Sequence, residues 1–221
     1  MATNRKPTHK QAVGSARSAG RVRSGRRHAR VSRATKETEI TIELNLDGTG
    51  TSHTDTGIPF LNHMLEIFAR HGFFDLSVRA QGDLDVDQHH TVEDVGLALG
   101  QALREALGDK VGIRRFGNAT CPLDEALVST VVDLSGRPFL AYNLKIRQAR
   151  VGVFDTELVH DFFLAMTNQA GMNLHFNQVQ GRNAHHIIEA AFKSFARALD
   201  EAKQIDPRVK GVPSTKGSLD G

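Results

Sequence analysis

The chain has 221 residues, a formal net charge of +3 and a single cysteine, Cys121. This length leaves room for one large domain or two small ones with a proper hydrophobic core. One cysteine excludes an internal disulfide and fits a reducing compartment. No apolar run reaches the roughly eighteen residues that a membrane-spanning helix needs. We therefore expect a cytoplasmic protein with no membrane partner.

The positive charge is concentrated at the N-terminus. Residues 1–36 hold eleven of the 28 basic residues and none of the 25 acidic ones, so the rest of the chain has 17 basic and 25 acidic residues, a net charge of −8. Residues 1–32 also contain few large apolar side chains, and such a segment cannot bury enough surface to offset the entropy of ordering. We predict that residues 1–32 are a disordered basic tail.

Three roles fit this tail. It is a solvated extension or an overlong start of the chain, an organelle transit peptide, or an arm that binds nucleic acid. The lack of Leu and Phe weakens the transit-peptide interpretation. The acidic body would repel nucleic acid, so a nucleic-acid partner is not expected.

The first half of the body alternates strand and helix patterns. Alternation of apolar and polar residues predicts a half-buried strand at 37–46. Helical spacing predicts a helix at 61–71 with Gly72 as its C-cap. A strand is predicted next at 74–80, and a long helix at 92–107.

The second half repeats this order. Its predicted elements are strands at 125–135 and 139–146, a helix at 156–168, a strand at 172–179 and a long helix at 186–203. We predict an α+β fold built by internal duplication, with a first repeat at 33–120 and a second at 121–217.

Each long helix begins near a pair of histidines followed by a glutamate. The two motifs are His89-His90-x-x-Glu93 and His185-His186-x-x-Glu189. Neighbouring residues on a helix point about 100° apart, so one metal ion cannot easily bind both histidines of a pair. Each pair is predicted to serve two metals, with ligands from both halves. Imidazole and carboxylate without thiolate suit Mn, Fe, Co, Ni or Zn.

The duplication predicts one more ligand from the first helix of each repeat. Aligning the halves places His63 opposite Asp161, with His160 adjacent. His63 is therefore a candidate ligand in one half, and Asp161 or, less favourably, His160 in the other. His175 is interpreted either as a hydrogen-bonded strand histidine or as a ligand.

Basic and hydroxyl groups form a second set of candidates in the acidic body. They are Arg115, Arg137, Lys193, and Ser214 and Lys216 in the C-terminal stretch P-S-T-K-G. Such groups bind phosphate, and a mobile chain end can close over a ligand. They predict a small-molecule substrate that carries a phosphate.

Several long motifs, in order, carry a family resemblance. They are T-G-I-P-F-L-N-H-M-L, G-D-L-D-V-D-Q-H-H-T-V-E-D, L-D-E-A, D-L-S-G-R-P, G-R-N-A-H-H-I-I-E-A-A-F-K and P-S-T-K-G. Over about residues 33–217 the chain resembles the imidazoleglycerol-phosphate dehydratases of histidine biosynthesis.

The resemblance implies two similar halves, each a four-stranded sheet backed by two helices (ribosomal protein domain 2-like). It also implies a 24-subunit homo-oligomer with active sites between subunits and two Mn²⁺ ions per site. The implied metal ligands are His63, His89, His90, Glu93, His185, His186, Glu189 and, where the family often has His, Asp161. The implied phosphate-binding residues are Arg115, Arg137, Lys193, Ser214 and Lys216. The active-site glutamate of the family falls on Glu37, and Asn62 stands where Asp is common.

The implied reaction is dehydration of D-erythro-imidazoleglycerol phosphate to imidazoleacetol phosphate. The carbon-bound proton is not acidic, but a substrate ring held by both metals as an imidazolate would expel hydroxide, with the metals acting as Lewis acids. Glu37 or Glu189 would act as general base beside His63, and the sequence leaves the choice open.

Two other functions would use some of the same residues. A dimetal phosphoester hydrolase would also use His and carboxylate ligands, but such sites are usually richer in Asp. An RNA-associated or metal-storage protein would use the basic tail and the histidines, yet the tail lies outside the duplicated unit.

Overall fold

A computed structural model describes residues 27–219. Residues 1–26, which hold most of the predicted basic tail, lie outside this range. The strands of the described part are β1 (His28–Ala34), β2 (Thr38–Asn45), β3 (Ser52–Asp55), β4 (Asp75–Gly82), β5 (Phe116–Leu123), β6 (Ala126–Asp133), β7 (Phe139–Asn143), β8 (Arg150–Val151), β9 (Phe154–Asp155) and β10 (Asn173–Gln180). The helices are α1 (Pro59–Gly72), α2 (His89–Leu107), α3 (Leu158–Ala170) and α4 (Ala184–Lys203).

Two four-stranded sheets share one topology. Their strand orders are β1-β2-β4-β3 and β5-β6-β10-β7. In each sheet the first three strands pair antiparallel and the last pairs parallel to its neighbour. One short and one long helix accompany each sheet. The predicted α+β duplication is therefore confirmed.

The four helices lie between the two sheets. α2 packs on β1 and β2 of its own sheet and on α3 of the other repeat, while α4 packs on β5 and β6 and on α1. One apolar core runs through both halves, from Ala29 to Ala202. Because each long helix touches the short helix of the other repeat, side chains from distant parts of the sequence meet near the helix ends.

Two glycines allow α2 and α3 to approach closely. A Cβ atom at Gly96 would lie 2.6 Å from the carbonyl oxygen of Phe162, and one at Gly100 would lie 2.4 Å from that of Met166. Real Cβ atoms do not come so near backbone oxygen. The G-x-x-x-G spacing, four residues along one face, thus sets the distance between the repeats.

The structure corrects the predicted boundaries. Residues 28–32 are not disordered, because they belong to β1, whose alternate residues Ala29 and Val31 are buried against the helices. The division at 120/121 would cut β5, which pairs with β6 of the second repeat, so that repeat begins at Phe116. At the end of α1 the left-handed residue is Phe73, with φ 54°, rather than Gly72.

None of the helices in residues 27–219 is both long enough and apolar enough to cross a membrane.

Candidate active site

The tightest group of metal-type ligands joins the two repeats. His63 of α1 lies 3.3 Å from Glu189 of α4, measured from Nε2 to Oε2, and His185 Nε2 lies 3.1 Å from the same oxygen. One ligand atom from each of the three residues lies within 4.8 Å of the others, and no other set of three or more in residues 27–219 does so. Side chains from both repeats therefore meet in this group, and their role as metal ligands stays a prediction.

Local structure at the start of α1 fixes His63. Pro59 occupies the first turn, where its missing N–H costs nothing. Asn62 Oδ1 accepts hydrogen bonds from the N–H of Thr56 (3.0 Å) and from its hydroxyl (2.7 Å). The amide of Asn62 therefore supplies an acceptor that an aspartate could also supply.

Glu189 is fully engaged within the chain. Its second oxygen, Oε1, lies 2.6 Å from the ammonium of Lys193, and both side chains are mostly buried. Burial by itself would raise the pKa of Glu189, but the hydrogen bond and charge of Lys193, with the hydrogen bonds of His185 and His63, lower it below its ordinary value. Glu189 is held as a carboxylate.

A second, looser group occupies the equivalent place between α2 and α3. His89 Nδ1 lies 3.5 Å from Asp161 Oδ2, and His89 Nε2 lies 3.9 Å from Glu93. The neighbouring His160 contacts Asp161 at 3.1 Å and sets its ring edge-on to Tyr142, 5.1 Å away. Of the two candidates left open by the sequence, Asp161 is the one that faces His89.

The second histidine of each pair contacts a carboxylate outside the motif. His90 Nδ1 lies 3.0 Å from Asp83, and His186 Nδ1 lies 2.7 Å from Glu125. The Asp83 hydrogen bond raises the pKa of His90. The hydrogen bond to His186, with the backbone N–H of Asn183, lowers the pKa of Glu125 to about 2.

The two rings of each pair are turned apart, as predicted. The interplanar angle is 76° for His89 and His90, and 81° for His185 and His186. A carboxylate on Nδ1 leaves Nε2 as the ligand atom, which is the usual arrangement around metal-binding histidines. No role for Asp83 or Glu125 is predicted from the sequence, although both lie within the motifs that carry the family resemblance.

Glu37 lies on the turn between β1 and β2. The hydroxyl oxygen of Thr35 accepts hydrogen bonds from the N–H of Glu37 (3.1 Å) and of Thr38 (3.0 Å), which holds the turn. The Glu37 carboxylate is 3.9 Å from His90 Nδ1, and 53% of the side chain is exposed. It therefore sits beside the first histidine pair with an oxygen accessible to a ligand.

The phosphate candidates fall into separate groups in one chain. The Arg115 guanidinium binds Asp133 (2.6 and 3.0 Å) and the carbonyl oxygen of Pro213 (2.9 Å), which places it beside the Ser214–Lys216 segment. The Arg115 N–H meets α4 at Ala202, nine residues after Lys193, or roughly 13 Å along the helix axis. Lys193 instead contacts Glu189, in the group that also contains His63 and His185.

Two remaining candidates lie elsewhere. Arg137 is exposed on the turn between β6 and β7. His175 is exposed on β10 between buried Leu174 and Phe176, so it faces away from the helices, and its ring lies 5.6 Å from that of Phe139. It belongs to neither ligand group described above.

The donor chemistry fits a divalent transition metal. Both groups offer imidazole nitrogens and carboxylate oxygens without sulfur, a set that suits Mn²⁺ and its neighbours. One potential ligand atom from each of His63, His185 and Glu189 lies within 4.8 Å of the others, which is close enough for the three to bind one such ion.

Fold and site together define a class: a duplicated α+β enzyme whose imidazole and carboxylate groups meet between its halves. The family model for imidazoleglycerol-phosphate dehydratase matches residues 56–199. The chain belongs to this family, whose members are hydro-lyases of histidine biosynthesis.

Individual relatives match this chain along nearly their whole length. The chain is 58% identical to the imidazoleglycerol-phosphate dehydratase of Lachnoclostridium phytofermentans, over 88% of this chain and 99% of that protein. It is 57% identical to that of Geobacter sulfurreducens, over 87% and 99%. The crystal structure of the Staphylococcus aureus enzyme matches with a TM-score of 0.74 and 41% identity, over 81% of this chain and 99% of that one. The predicted family, fold and enzyme class are thereby confirmed.

Proposed function

We propose that this protein dehydrates imidazoleglycerol phosphate to imidazoleacetol phosphate with the help of two bound Mn²⁺ ions. The observation that carries the proposal is the group of His63, His185 and Glu189, whose ligand atoms lie within 4.8 Å of one another. Family membership supports the substrate, and the basic residues of the chain suit its phosphate. The biosynthetic role of the family supports a cytoplasmic location.

Each of the two metals would have three ligands from one chain. His63, His185 and Glu189 would hold one ion, and His89, Glu93 and Asp161 the other. When bound, the ions supply Lewis acidity to the imidazole ring of the substrate. Mn²⁺ prefers about six ligands, so three leave a site incomplete.

We propose that His90 and His186 complete the metal sites of another copy of the chain. Their Nδ1 atoms contact Asp83 and Glu125, which belong to neither of the two groups in their own chain. Arg115 contacts α4 about 13 Å from Lys193 along the helix axis, which supports a phosphate site that is also completed by another copy of the chain. The assembly would be the 24-subunit homo-oligomer implied by the resemblance, with Arg115, Arg137, Lys193, Ser214 and Lys216 meeting the substrate between subunits.

Glu37 is the better general base of the two candidates. Both oxygens of Glu189 are occupied by Lys193 and the histidines, and its lowered pKa makes it a poor proton acceptor. Glu37 is half exposed. It would accept the carbon-bound proton as the C–O bond breaks. The departing hydroxide takes up a proton from solvent or from the protonated Glu37 and leaves as water, and the resulting enol becomes the ketone of the product as its hydroxyl proton moves to carbon.

Turnover by chelator-stripped protein tests this proposal. We expect no turnover of imidazoleglycerol phosphate without metal and recovery on adding Mn²⁺. Glu37→Gln should lower kcat at least about 100-fold, within the range of general-base loss, with unchanged Mn²⁺ content. Glu43→Gln, on the outer face of the first sheet, is the matched control. A folded, Mn²⁺-loaded wild type without turnover would refute the proposal.

A further inference from the structure

The turns that join the first two strands of each sheet are equivalent. His28 pairs with Asn45 in the first repeat, and Phe116 pairs with Asp133 at the same place in the second, so the two hairpins are offset by 88 residues. This offset places Glu37 opposite Glu125. Each of these glutamates lies near the second histidine of the motif in its own repeat.

The contacts of Glu125 serve two purposes at once. Its Oε2 lies 2.7 Å from His186 Nδ1. Its Oε1 accepts hydrogen bonds from the N–H groups of Arg182 (3.2 Å) and Asn183 (2.8 Å). Asn183 in turn caps α4, because its Oδ1 accepts the N–H of His186. One carboxylate therefore fixes both the start of the helix and the imidazole ring.

In the first repeat a different residue has this role. Asp83, which follows β4, has its two oxygens 3.0 and 3.3 Å from His90 Nδ1. The N–H of Asp83 also donates to the carbonyl oxygen of Glu37 at 3.1 Å, which anchors the turn while the Glu37 carboxylate stays exposed. The two equivalent glutamates thus differ in what they touch.

We propose that Glu125 is a positioning residue that holds His186 in its metal-binding orientation, as Asp83 does for His90. Because Asp83 rather than Glu37 has this role in the first repeat, Glu37 remains available to the substrate. A carboxylate that accepts from Nδ1–H selects the tautomer whose Nε2 lone pair is free for a metal. The role of Glu37 in this inference rests on the proposed function, whereas the role of Glu125 rests on metal binding alone.

Glu125→Gln is a sharp test because Glu125 uses both oxygens as acceptors. A glutamine offers one acceptor and one donor. If its oxygen stays with the N–H groups of residues 182 and 183, its amide NH₂ faces His186 Nδ1 and favours the wrong tautomer. If it flips, the start of α4 loses its acceptor.

Mn²⁺ affinity is the readout, measured by electron paramagnetic resonance of free Mn²⁺ during titration of the assembled, chelator-stripped protein. We expect Glu125→Gln to weaken binding at one class of site by about 10–100-fold, as for other partners of metal-bound histidines. Asp83→Asn should have the same effect at the other class. Glu37→Gln and the control Glu43→Gln should bind Mn²⁺ like the wild type.

The outcomes separate this inference from the proposed function. Wild-type affinity in both Glu125→Gln and Asp83→Asn would overturn the inference, whatever the activity. A circular dichroism melt of each variant guards against misfolding, and Asp83→Asn stands in if Glu125→Gln does not fold. A wild type that binds Mn²⁺ but turns over no substrate would overturn only the proposed function.

Discussion

Glu189 Oε2 lies 3.3 Å from His63 Nε2, although 126 residues separate them in the sequence. The contact exists because α1 of the first repeat packs on α4 of the second. The buried face of these helices builds the core, and their polar starts build the ligand group. Folding of the two halves onto each other and formation of the site are therefore one event.

Removal of His63 should empty one class of metal site. His63→Ala deletes one of the three candidate ligands His63, His185 and Glu189, and we expect Mn²⁺ per chain to fall from about two to about one, with turnover lost. Metal content is measured by mass spectrometry after gel filtration. His53→Ala, a histidine of β3 outside both ligand groups, is the control. Full metal content in His63→Ala would contradict the assignment.

At the second site, two adjacent residues, Asp161 and His160, are candidates for the metal ligand from α3. Asp161 faces His89, whereas His160 contacts Asp161 and Tyr142. Asp161→Ala removes the candidate ligand itself and should abolish detectable Mn²⁺ binding at this class of site, whereas His160→Ala removes only a hydrogen-bond partner of Asp161 and should weaken binding by about 10-fold. Titration of stripped protein with Mn²⁺ measures both. The reverse order of effects would make His160 the ligand.

Much of this site can be predicted from the sequence, because its geometry depends on local helix structure and on the similarity of the two repeats. The divergence of the paired histidines is a consequence of helix geometry, and the rings do diverge. Asp161 came from aligning the repeats, and the structure brings it to His89. The roles of Asp83 and Glu125 are different, because they depend on how a turn meets a helix of the same repeat.

The sequence does not predict β1, β3 and β5, and the reason differs for each strand. The basic residues of β1 obscure the alternation of Ala29 and Val31, and β3 (S-H-T-D) contains no apolar residue. β5 includes Gly117 and Pro122, which are typical of loops. The glycine is required because a Cβ there would lie 1.9 Å from the carbonyl oxygen of Ala198. Tertiary packing on α4 therefore overrides the local preference.

Gly100 should be essential to the contact between the repeats. In Gly100→Ala the new methyl would meet the carbonyl oxygen of Met166, and backbone yields less easily than a side chain. We expect a loss of about 1–3 kcal/mol in the free energy of unfolding, typical of overpacking. Urea unfolding with matched m-values measures it. Gln101→Ala, the next position on α2, is the control, and an equally stable Gly100→Ala would show that α3 can shift.

Asp206 should stabilise the fold at neutral pH but not in acid. Asp206 accepts hydrogen bonds from the side chain (2.9 and 2.5 Å) and the N–H (2.9 Å) of Arg208, and these bonds lower the pKa of Asp206 from 3.8. Its own N–H donates to the carbonyl oxygen of Gly112, so the turn ties the C-terminal segment to the chain that follows α2.

A carboxyl group with a lowered folded-state pKa stabilises the fold above its unfolded pKa, and this contribution disappears as the pH falls toward the folded value. Asp206→Asn should therefore melt at a lower temperature than the wild type, by an equal amount at about pH 7 and pH 5, and the difference should shrink below about pH 4. Circular dichroism melts across this range measure it, with Asp85→Asn on the exposed turn before α2 as control. A difference that widens in acid would mean that Asp206 acts through its neutral form, because only a protonated carboxyl group could then account for the extra stability of the wild type.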